Sequence, residues 1–158
     1  MEPETVDLSR YPVCDFDPYL IQFSEGIGIR WYGLAYIMGF VVAYLLLRLY
    51  HKRGRIDFNA DEQLNLMTAI ILGTFVGGRL GYMLLYTPGA LVDNPLSLFK
   101  VWEGGMASHG GFVGICVGMW WFARRQKTSF WNIADICVTL GPAGVFFGRI
   151  ANFINGEL

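Results

Sequence analysis

Long apolar stretches alternate with short clusters of charge along this chain of 158 residues. Four of the stretches approach the roughly 20 residues that a helix needs to cross a bilayer. They run from about Trp31 to Tyr50, from Leu64 to Tyr86, from Met106 to Ala123 and from Phe130 to Gly148. The third is short and the fourth contains Pro142, so we expect a kink or a partly buried end in each. The pattern predicts an all-α, polytopic integral membrane protein with about four transmembrane helices.

The composition agrees with a membrane protein and excludes other classes. Hydrophobic residues make up 54% of the chain and charged residues only 16%, whereas soluble domains average about 25% charged residues. The net charge of −1 provides no basic face, so we expect no nucleic-acid partner. The three cysteines, Cys14, Cys116 and Cys137, lack the spacing of a metal site. We therefore expect neither a metal nor a cofactor.

The basic residues predict the orientation in the membrane. The loops after the first and third spans are basic, whereas residues 1–30 are mainly acidic. By the positive-inside rule the basic loops face the cytoplasm. We expect residues 1–30 to form an extracytoplasmic N-terminal segment and residues 31–158 to form the transmembrane helical domain. The basic residues of the two loops are Arg48, Lys52, Arg53, Arg55, Arg124, Arg125 and Lys127.

Glycines recur every four residues in the second and third spans. This spacing gives each helix one flat face and allows two helix backbones to approach closely. The glycines are Gly73, Gly77 and Gly81 in the second span and Gly110, Gly114 and Gly118 in the third. Helix packing alone is sufficient to explain most of them.

Four polar residues from four different spans fall near one level of the membrane. Arg79 lies 15 residues beyond Leu64, or about 22 Å at about 1.5 Å per residue. His109 opens the third span, Arg149 follows the fourth, and Tyr32 begins the first. Ionisable residues at such depth are expensive and usually functional. The pattern therefore predicts one site at the outer boundary of the membrane.

Each of these residues also has a simpler interpretation. Arg79 could snorkel to the headgroups, Arg149 could anchor a helix end, and Tyr32 could belong to an aromatic belt. His109 could cap its helix, and the polar residues after Arg149 could form an ordinary loop. Those polar residues are Asn152, Asn155 and Glu157. Trp120 and Trp121, near the inner face, are interpreted as belt residues.

Two arginines and a histidine favour chemistry on a phosphate ester. A guanidinium binds phosphate through two parallel hydrogen bonds, and a histidine transfers protons near neutral pH. The first hypothesis is an enzyme that acts on lipid headgroups. The alternative is a membrane carrier of an anion or lipid with an arginine-lined site. A carrier usually has its site near the midplane between internal repeats, and no clear repeat is present here.

Residues 148–157 resemble the signature of the bacterial prolipoprotein diacylglyceryl transferases, Gly-Arg-x-Gly/Ala-Asn-Phe-apolar-Asn-x-Glu. Every specified position is filled within residues 148–157, GRIANFINGE. Agreement with the family continues at residues 30–34, 77–82, 101–106 and 109–111. The resemblance covers the chain from about residue 16 onward.

The resemblance implies an activity and a set of partners. Enzymes of this family transfer the diacylglyceryl group of phosphatidylglycerol to the lipobox cysteine thiol of a prolipoprotein signal peptide. They do so in the bacterial cytoplasmic (inner) membrane, and they release glycerol phosphate. The active site would face outward, and membrane lipids would surround the protein.

The resemblance also assigns roles to residues. Arg149 would hold and neutralise the lipid phosphate, and His109 would be the base that takes the thiol proton. Arg79 would support the anion site. The remaining substrate-binding residues would be Tyr32, Asn152, Asn155, Glu157, Gly110 and Gly111.

Members of the family are nearly twice as long as this chain, usually with seven spans. They carry further essential residues in their other half, including an arginine. We therefore expect this chain to be the N-terminal half of such a fold and to be inactive on its own. A partner subunit that receives the other half in trans is a third hypothesis.

Overall fold

The computed structural model describes residues 19–24, 27–89, 95–100 and 105–155, and most of them are helical. The α-helices are α1 (Trp31–Lys52), α2 (Ala60–Leu85), α3 (Ser108–Arg125) and α4 (Phe130–Ile154). A short 3-10 helix, Pro95–Phe99, precedes α3. Within the described part of the chain, α1, α2 and α4 are long and apolar enough to cross a membrane. The predicted all-α, polytopic membrane architecture is confirmed.

A two-stranded antiparallel hairpin precedes the helices and was not predicted. Strand β1 (Tyr19–Ser24) pairs with β2 (Ile27–Arg30), with Ile21 opposite Ile29. The pairing is irregular at two places, and β2 ends at the residue before α1. The hairpin is short and its sequence is mixed in polarity, so hydropathy gave no signal for it.

Two helices extend further than the predicted spans. Helix α2 begins at Ala60 because Asn59 and Glu62 form a capping box, in which each side chain accepts a hydrogen bond from the other's backbone N–H. Helix α4 continues through Pro142 to Ile154, six residues beyond the predicted end. Hydropathy reports where a helix lies in the membrane, whereas the polar ends of these helices lie beyond their apolar segments.

The chain divides into two compact units, and each is described by itself. The first contains residues 1–43 and 141–158, and the second contains residues 44–140. In the first unit, α1 presents a buried stripe of small residues at Ala35, Gly39 and Ala43. A Cβ on Gly39 would lie 3.0 Å from the Cα of Gly144. Helices α1 and α4 therefore touch backbone to backbone at Gly39 and Gly144.

In the second unit, the glycine stripes of α2 and α3 form a close antiparallel seam. A Cβ on Gly81 would lie 2.7 Å from the Cα of Gly110, and one on Gly77 would lie 2.8 Å from the Cα of Gly114. At the other end of the seam, Gly118 meets the backbone of Ala69. The predicted role of these glycines in helix packing is confirmed.

The loop between α1 and α2 packs onto the end of α3. The ring of Phe58 contacts the fully buried ring of Phe122 edge to face, with 5.3 Å between centroids. The side chain of Gln63, which is 1% exposed, donates to the carbonyl of Phe58 at 2.7 Å. These contacts place the α1–α2 loop and the end of α3 at the same end of the second unit.

Candidate functional site

Arg79 is buried at the end of α2 and is bonded to the polypeptide backbone. Only 5% of the residue is exposed. Its Nε and Nη2 donate to the carbonyl of Ser97 at 3.2 and 2.8 Å, and its Nη1 donates to the carbonyl of Gly105 at 3.1 Å. Snorkelling to headgroups is therefore excluded for this arginine. A role of Arg79 in anion binding stays a prediction.

The hydrogen bonds of Arg79 join two parts of the connection between α2 and α3. Gly105 has a φ of +79°, which favours glycine, and the ring of Tyr82 lies where its Cβ would be. The N–H of Ala107 donates to the carbonyl of Gly78 at 2.9 Å. The segment that leads into α3 is thus fixed against α2 by a guanidinium, an aromatic ring and a backbone hydrogen bond.

His109 lies in the first turn of α3, immediately after this segment. The residue is exposed, and no described residue forms a hydrogen bond or ion pair with its ring. The N-cap residue is Ala107, which has no side-chain cap, so His109 is free of a capping role. Because Gly110 packs on Gly81, His109 and Arg79 lie at the same end of the α2–α3 pair.

His109 also borders an apolar groove that follows the glycine seam. The groove has a volume of about 850 Å³ and extends between α2 and α3 as far as Trp120 and Trp121. Gly110 and Gly111, both predicted to bind substrate, have different surroundings. Gly110 forms the seam, whereas a Cβ on Gly111 would meet only the side chain and carbonyl of Thr74 at ordinary distances, 3.7 Å or more. Packing thus accounts for Gly110, and substrate binding stays a prediction for both glycines.

The signature segment at residues 148–157, here called the closing run, lies mostly on α4 rather than beyond its end, although hydropathy predicts a span that ends at Gly148. Arg149 and Asn152 are helical, and the N–H of Asn155 continues the helical pattern by donating to the carbonyl of Ala151 at 2.9 Å. Residues three apart on a helix are neighbours on one side. Asn152 is therefore a neighbour of both Arg149 and Asn155, and Asn155 is also a neighbour of Ala151, which is buried.

The exposure of these three side chains differs in a way that matters for binding. Arg149 is exposed, and Asn152 and Asn155 are half-buried. The Oδ1 atom of Asn155 is buried without a hydrogen-bond partner among the described residues. A buried polar atom without a partner is costly, so this oxygen is suited to accept a hydrogen bond from a ligand or from another part of the protein.

The remaining predicted residues are only partly described. Tyr32 lies in the first turn of α1, and only its backbone is described. It precedes Gly39 by seven residues and Arg149 follows Gly144 by five, so both lie within about two helical turns of the Gly39–Gly144 contact. Glu157 lies outside the described residues. The structure thus groups Arg79 with His109 in one unit and Tyr32 with Arg149 in the other, and their convergence on one site stays a prediction.

The residues that fix the segment leading into α3 were not predicted from the sequence. Ser97 and Gly105 contribute backbone carbonyls, and a carbonyl acceptor leaves no mark in a sequence. The one available signal was Gly105 itself, which follows Gly104 directly before the third span. Two adjacent glycines at the start of a helix suggest a backbone conformation with positive φ or a close approach.

Comparison with known proteins gives a consistent match. The family of prolipoprotein diacylglyceryl transferases matches residues 18–158. Three similar proteins, each named phosphatidylglycerol–prolipoprotein diacylglyceryl transferase, illustrate the level of identity. The protein from Solidesulfovibrio magneticus is 48% identical over 90% of this chain and 54% of its own length. Those from Serratia proteamaculans and Yersinia enterocolitica are 49% and 50% identical, over 90% of this chain and 49% of their own lengths.

The chain spans about half the length of the curated relatives it matches. The shared half contains the closing run, the Arg79 segment and His109.

Proposed function

We propose, from the premise that this chain belongs to the prolipoprotein diacylglyceryl transferase family, that the complete protein transfers a diacylglyceryl group from phosphatidylglycerol to a lipobox cysteine. The observation that carries the proposal is 48% identity over 90% of the chain to a relative named for this reaction. The closing run supports it, because Arg149 and Asn152 are neighbours on one helix and Asn155 follows directly after its end.

The reaction transfers the terminal glyceryl carbon of the lipid from a phosphate oxygen to the cysteine sulfur. The cysteine sulfur forms a bond to the terminal glyceryl carbon while the bond between that carbon and the phosphate oxygen breaks. The thiol proton passes to a base, and the electron pair leaves with glycerol phosphate. The enzyme needs no nucleophile of its own, and its task is to neutralise the leaving phosphate and to accept the proton.

Arg149 is the group proposed to bind the lipid phosphate. It is exposed near the end of a long apolar helix, and a guanidinium there offers two parallel hydrogen bonds to phosphate. Asn152 is its neighbour on α4, and Asn155 follows directly after the helix. The buried Oδ1 of Asn155 would accept a donor from the headgroup or the peptide, and Tyr32 and Glu157 would complete the binding set.

His109 is the proposed base. Its ring has no partner among the described residues, and the segment before it is fixed by Arg79 and Tyr82. Proton transfer requires the base to lie within hydrogen-bond reach of the thiol. An imidazole on a rigidly held helix N-terminus, without a partner among the described residues, suits that requirement.

The proposed partners are phosphatidylglycerol, the prolipoprotein signal peptide and the surrounding membrane lipids. The chain is a multi-pass membrane protein of a bacterial family. We place it in the cytoplasmic membrane with His109 and Arg149 toward the outer face. The carrier hypothesis loses support because the Arg79 guanidinium donates to two backbone carbonyls, whereas a carrier would present it to the permeating anion.

A transfer assay with the complete protein tests the proposal. The protein is reconstituted with phosphatidylglycerol and a lipobox peptide, and thioether product is measured by mass spectrometry. Arg149→Ala is expected to lower the rate by about 10²- to 10³-fold, the usual effect of losing one donor to a developing anion. Arg53→Ala is the control, because it removes an exposed charge immediately after the C-terminal end of α1. Transfer that survives Arg149→Ala would disprove the assigned role, and anion flux that depends on Arg79 would favour the carrier.

A further inference from the structure

The end of α3 opposite His109 carries two tryptophan–arginine pairs. The guanidinium of Arg124 lies over the ring of Trp120, 5.3 Å from its centroid, and that of Arg125 lies over Trp121 at 5.5 Å. Residues four apart lie on the same side of a helix, and side chains tilt toward its N-terminus. Both guanidiniums are therefore drawn back along α3, toward the level at which interfacial tryptophans lie.

These two guanidiniums have unused hydrogen-bonding capacity. Both arginines are exposed, and neither guanidinium donates a hydrogen bond to, or forms an ion pair with, a residue in the described ranges. Stacking on a ring occupies the flat face of a guanidinium and leaves its N–H edge available. That edge matches the geometry of a phosphate group.

A third cation is held at the same end in an unfavourable backbone conformation. Lys127 has a φ of +52°, and the N–H of Thr128 donates to the carbonyl of Ala123 at 3.0 Å. Helix α1 ends with the same hydrogen-bond pattern, but there the left-handed residue is Gly54, with a φ of +64°. Glycine is the usual residue at this position. Strain of this kind in a non-glycine residue tends to mark functional positions.

An apolar groove begins at one of the two tryptophans. It has a volume of about 470 Å³ and is lined only by apolar surface, from Trp120 along α3 to Phe112, with Phe130 of α4 at its side. Phe112 precedes Trp120 by eight residues, so the groove extends about 12 Å along the helix. The exposed guanidinium groups and this apolar groove thus meet at Trp120.

We propose that this end of α3 binds one anionic phospholipid, with its phosphate on Arg124 and Arg125 and an acyl chain in the groove along Phe112. Arg124 lies 15 residues from His109 on α3, or about 22 Å, so the lipid lies at the opposite face of the membrane from the proposed reaction. It is a bound structural lipid rather than the substrate. The inference therefore does not depend on the transfer activity.

Quenching of tryptophan fluorescence by brominated lipid tests this proposal. The chain carries Trp31→Phe, Trp102→Phe and Trp131→Phe, so that only Trp120 and Trp121 emit light. It is reconstituted into phosphatidylcholine vesicles that contain either dibromo-phosphatidylglycerol or dibromo-phosphatidylcholine. We expect the anionic lipid to associate more tightly, by about fivefold for each arginine that contacts it. Equal quenching by the two lipids would overturn the proposal.

Two pairs of substitutions separate a specific site from general surface charge. Arg124→Gln with Arg125→Gln is expected to abolish the preference for the anionic lipid, a loss of about 25-fold. Lys52→Gln with Arg53→Gln removes two exposed charges from the end of α1, where no described aromatic ring pairs with them, and is expected to retain most of the preference. An equal loss in both variants would overturn the proposal.

Two further measurements separate lipid binding from a loss of folding and from binding of free phosphate esters. If the glutamine variant loses helicity by circular dichroism, Arg124→Lys with Arg125→Lys retains the charges but not the planar fork. It is expected to show an intermediate preference, and an unchanged preference would overturn the assigned role of the guanidinium groups. Soluble glycerol phosphate is then added to the vesicles as a competitor. We expect no relief of quenching, and full relief at millimolar concentration would refute the lipid assignment.

Discussion

The glycine seam between α2 and α3 makes a quantitative prediction for Gly114→Ala. The added methyl would overlap the carbonyl oxygen of Gly73, and it would lie 2.7 Å from the carbonyl carbon of Gly73 and 3.0 Å from the Cα of Gly77. Carbon atoms pack best at about 3.5–4.0 Å, so the helices must separate by at least about 1 Å. All three obstacles are backbone atoms, which cannot rotate away as a side chain would.

The magnitude follows from two opposing terms. Overpacking a tight interface typically costs about 1–3 kcal/mol, and a backbone-to-backbone clash belongs in the upper part of that range. Alanine gains about 1 kcal/mol over glycine in helix propensity. We therefore expect Gly114→Ala to lower the free energy of unfolding by about 1–2 kcal/mol.

Gly111→Ala is the matched control on the same helix. A Cβ there would approach only Thr74, at 3.7 Å or more, so the propensity term acts without a clash. The chain in detergent micelles is titrated with sodium dodecyl sulfate, and helicity is followed by circular dichroism. The two variants should differ by about 2–3 kcal/mol. Unfolding of both at the same detergent fraction would refute the close packing of the seam.

The other predictions concern the connections between the helices. Arg79→Met should expose the α2–α3 connection to limited proteolysis, because each carbonyl that loses its donor costs about 1–3 kcal/mol; cleavage no faster than in Arg53→Met would contradict this. Lys127→Gly should stabilise the chain by about 1–2 kcal/mol by relieving its left-handed backbone. Gly54→Ala should destabilise it by a similar amount, because alanine disfavours the left-handed backbone at this position. No atom lies within 4 Å of the added Cβ, so a steric clash does not contribute. The same detergent titration measures both, and changes of the opposite sign would contradict the assigned backbone strain.

Hydropathy predicted the four helices but not where they end. The first turn of α2 contains three polar residues, Asp61, Glu62 and Gln63, so the apolar span begins only after it. The helix itself begins earlier, because it is capped by Asn59. The Asn59–Glu62 spacing is a capping signal that was available in the sequence. At the other end of the chain, the closing run appeared too polar for a span, yet it continues α4 as far as Ile154.

The candidate site was predictable only where side chains carry the signal. The spacing of Arg149, Asn152 and Asn155 could be interpreted as soon as the run was known to be helical. The partners of Arg79 could not be predicted, because the carbonyls of Ser97 and Gly105 belong to a connection without periodicity. The tryptophan–arginine pairs were predictable in principle from their spacing of four, but the tryptophans were interpreted as belt residues alone.

The most direct test of the proposed function is to supply the part of the relatives' length that this chain does not span. Residues 1–158 are joined to the remaining half of the Yersinia enterocolitica relative, with which this chain shares 50% identity. The chimera is assayed for thioether formation between phosphatidylglycerol and a lipobox peptide. We predict transfer by the chimera, its loss with His109→Ala or Arg149→Ala, and none by residues 1–158 alone. A folded chimera that transfers no diacylglyceryl group, or equal transfer by the isolated chain, would contradict this account.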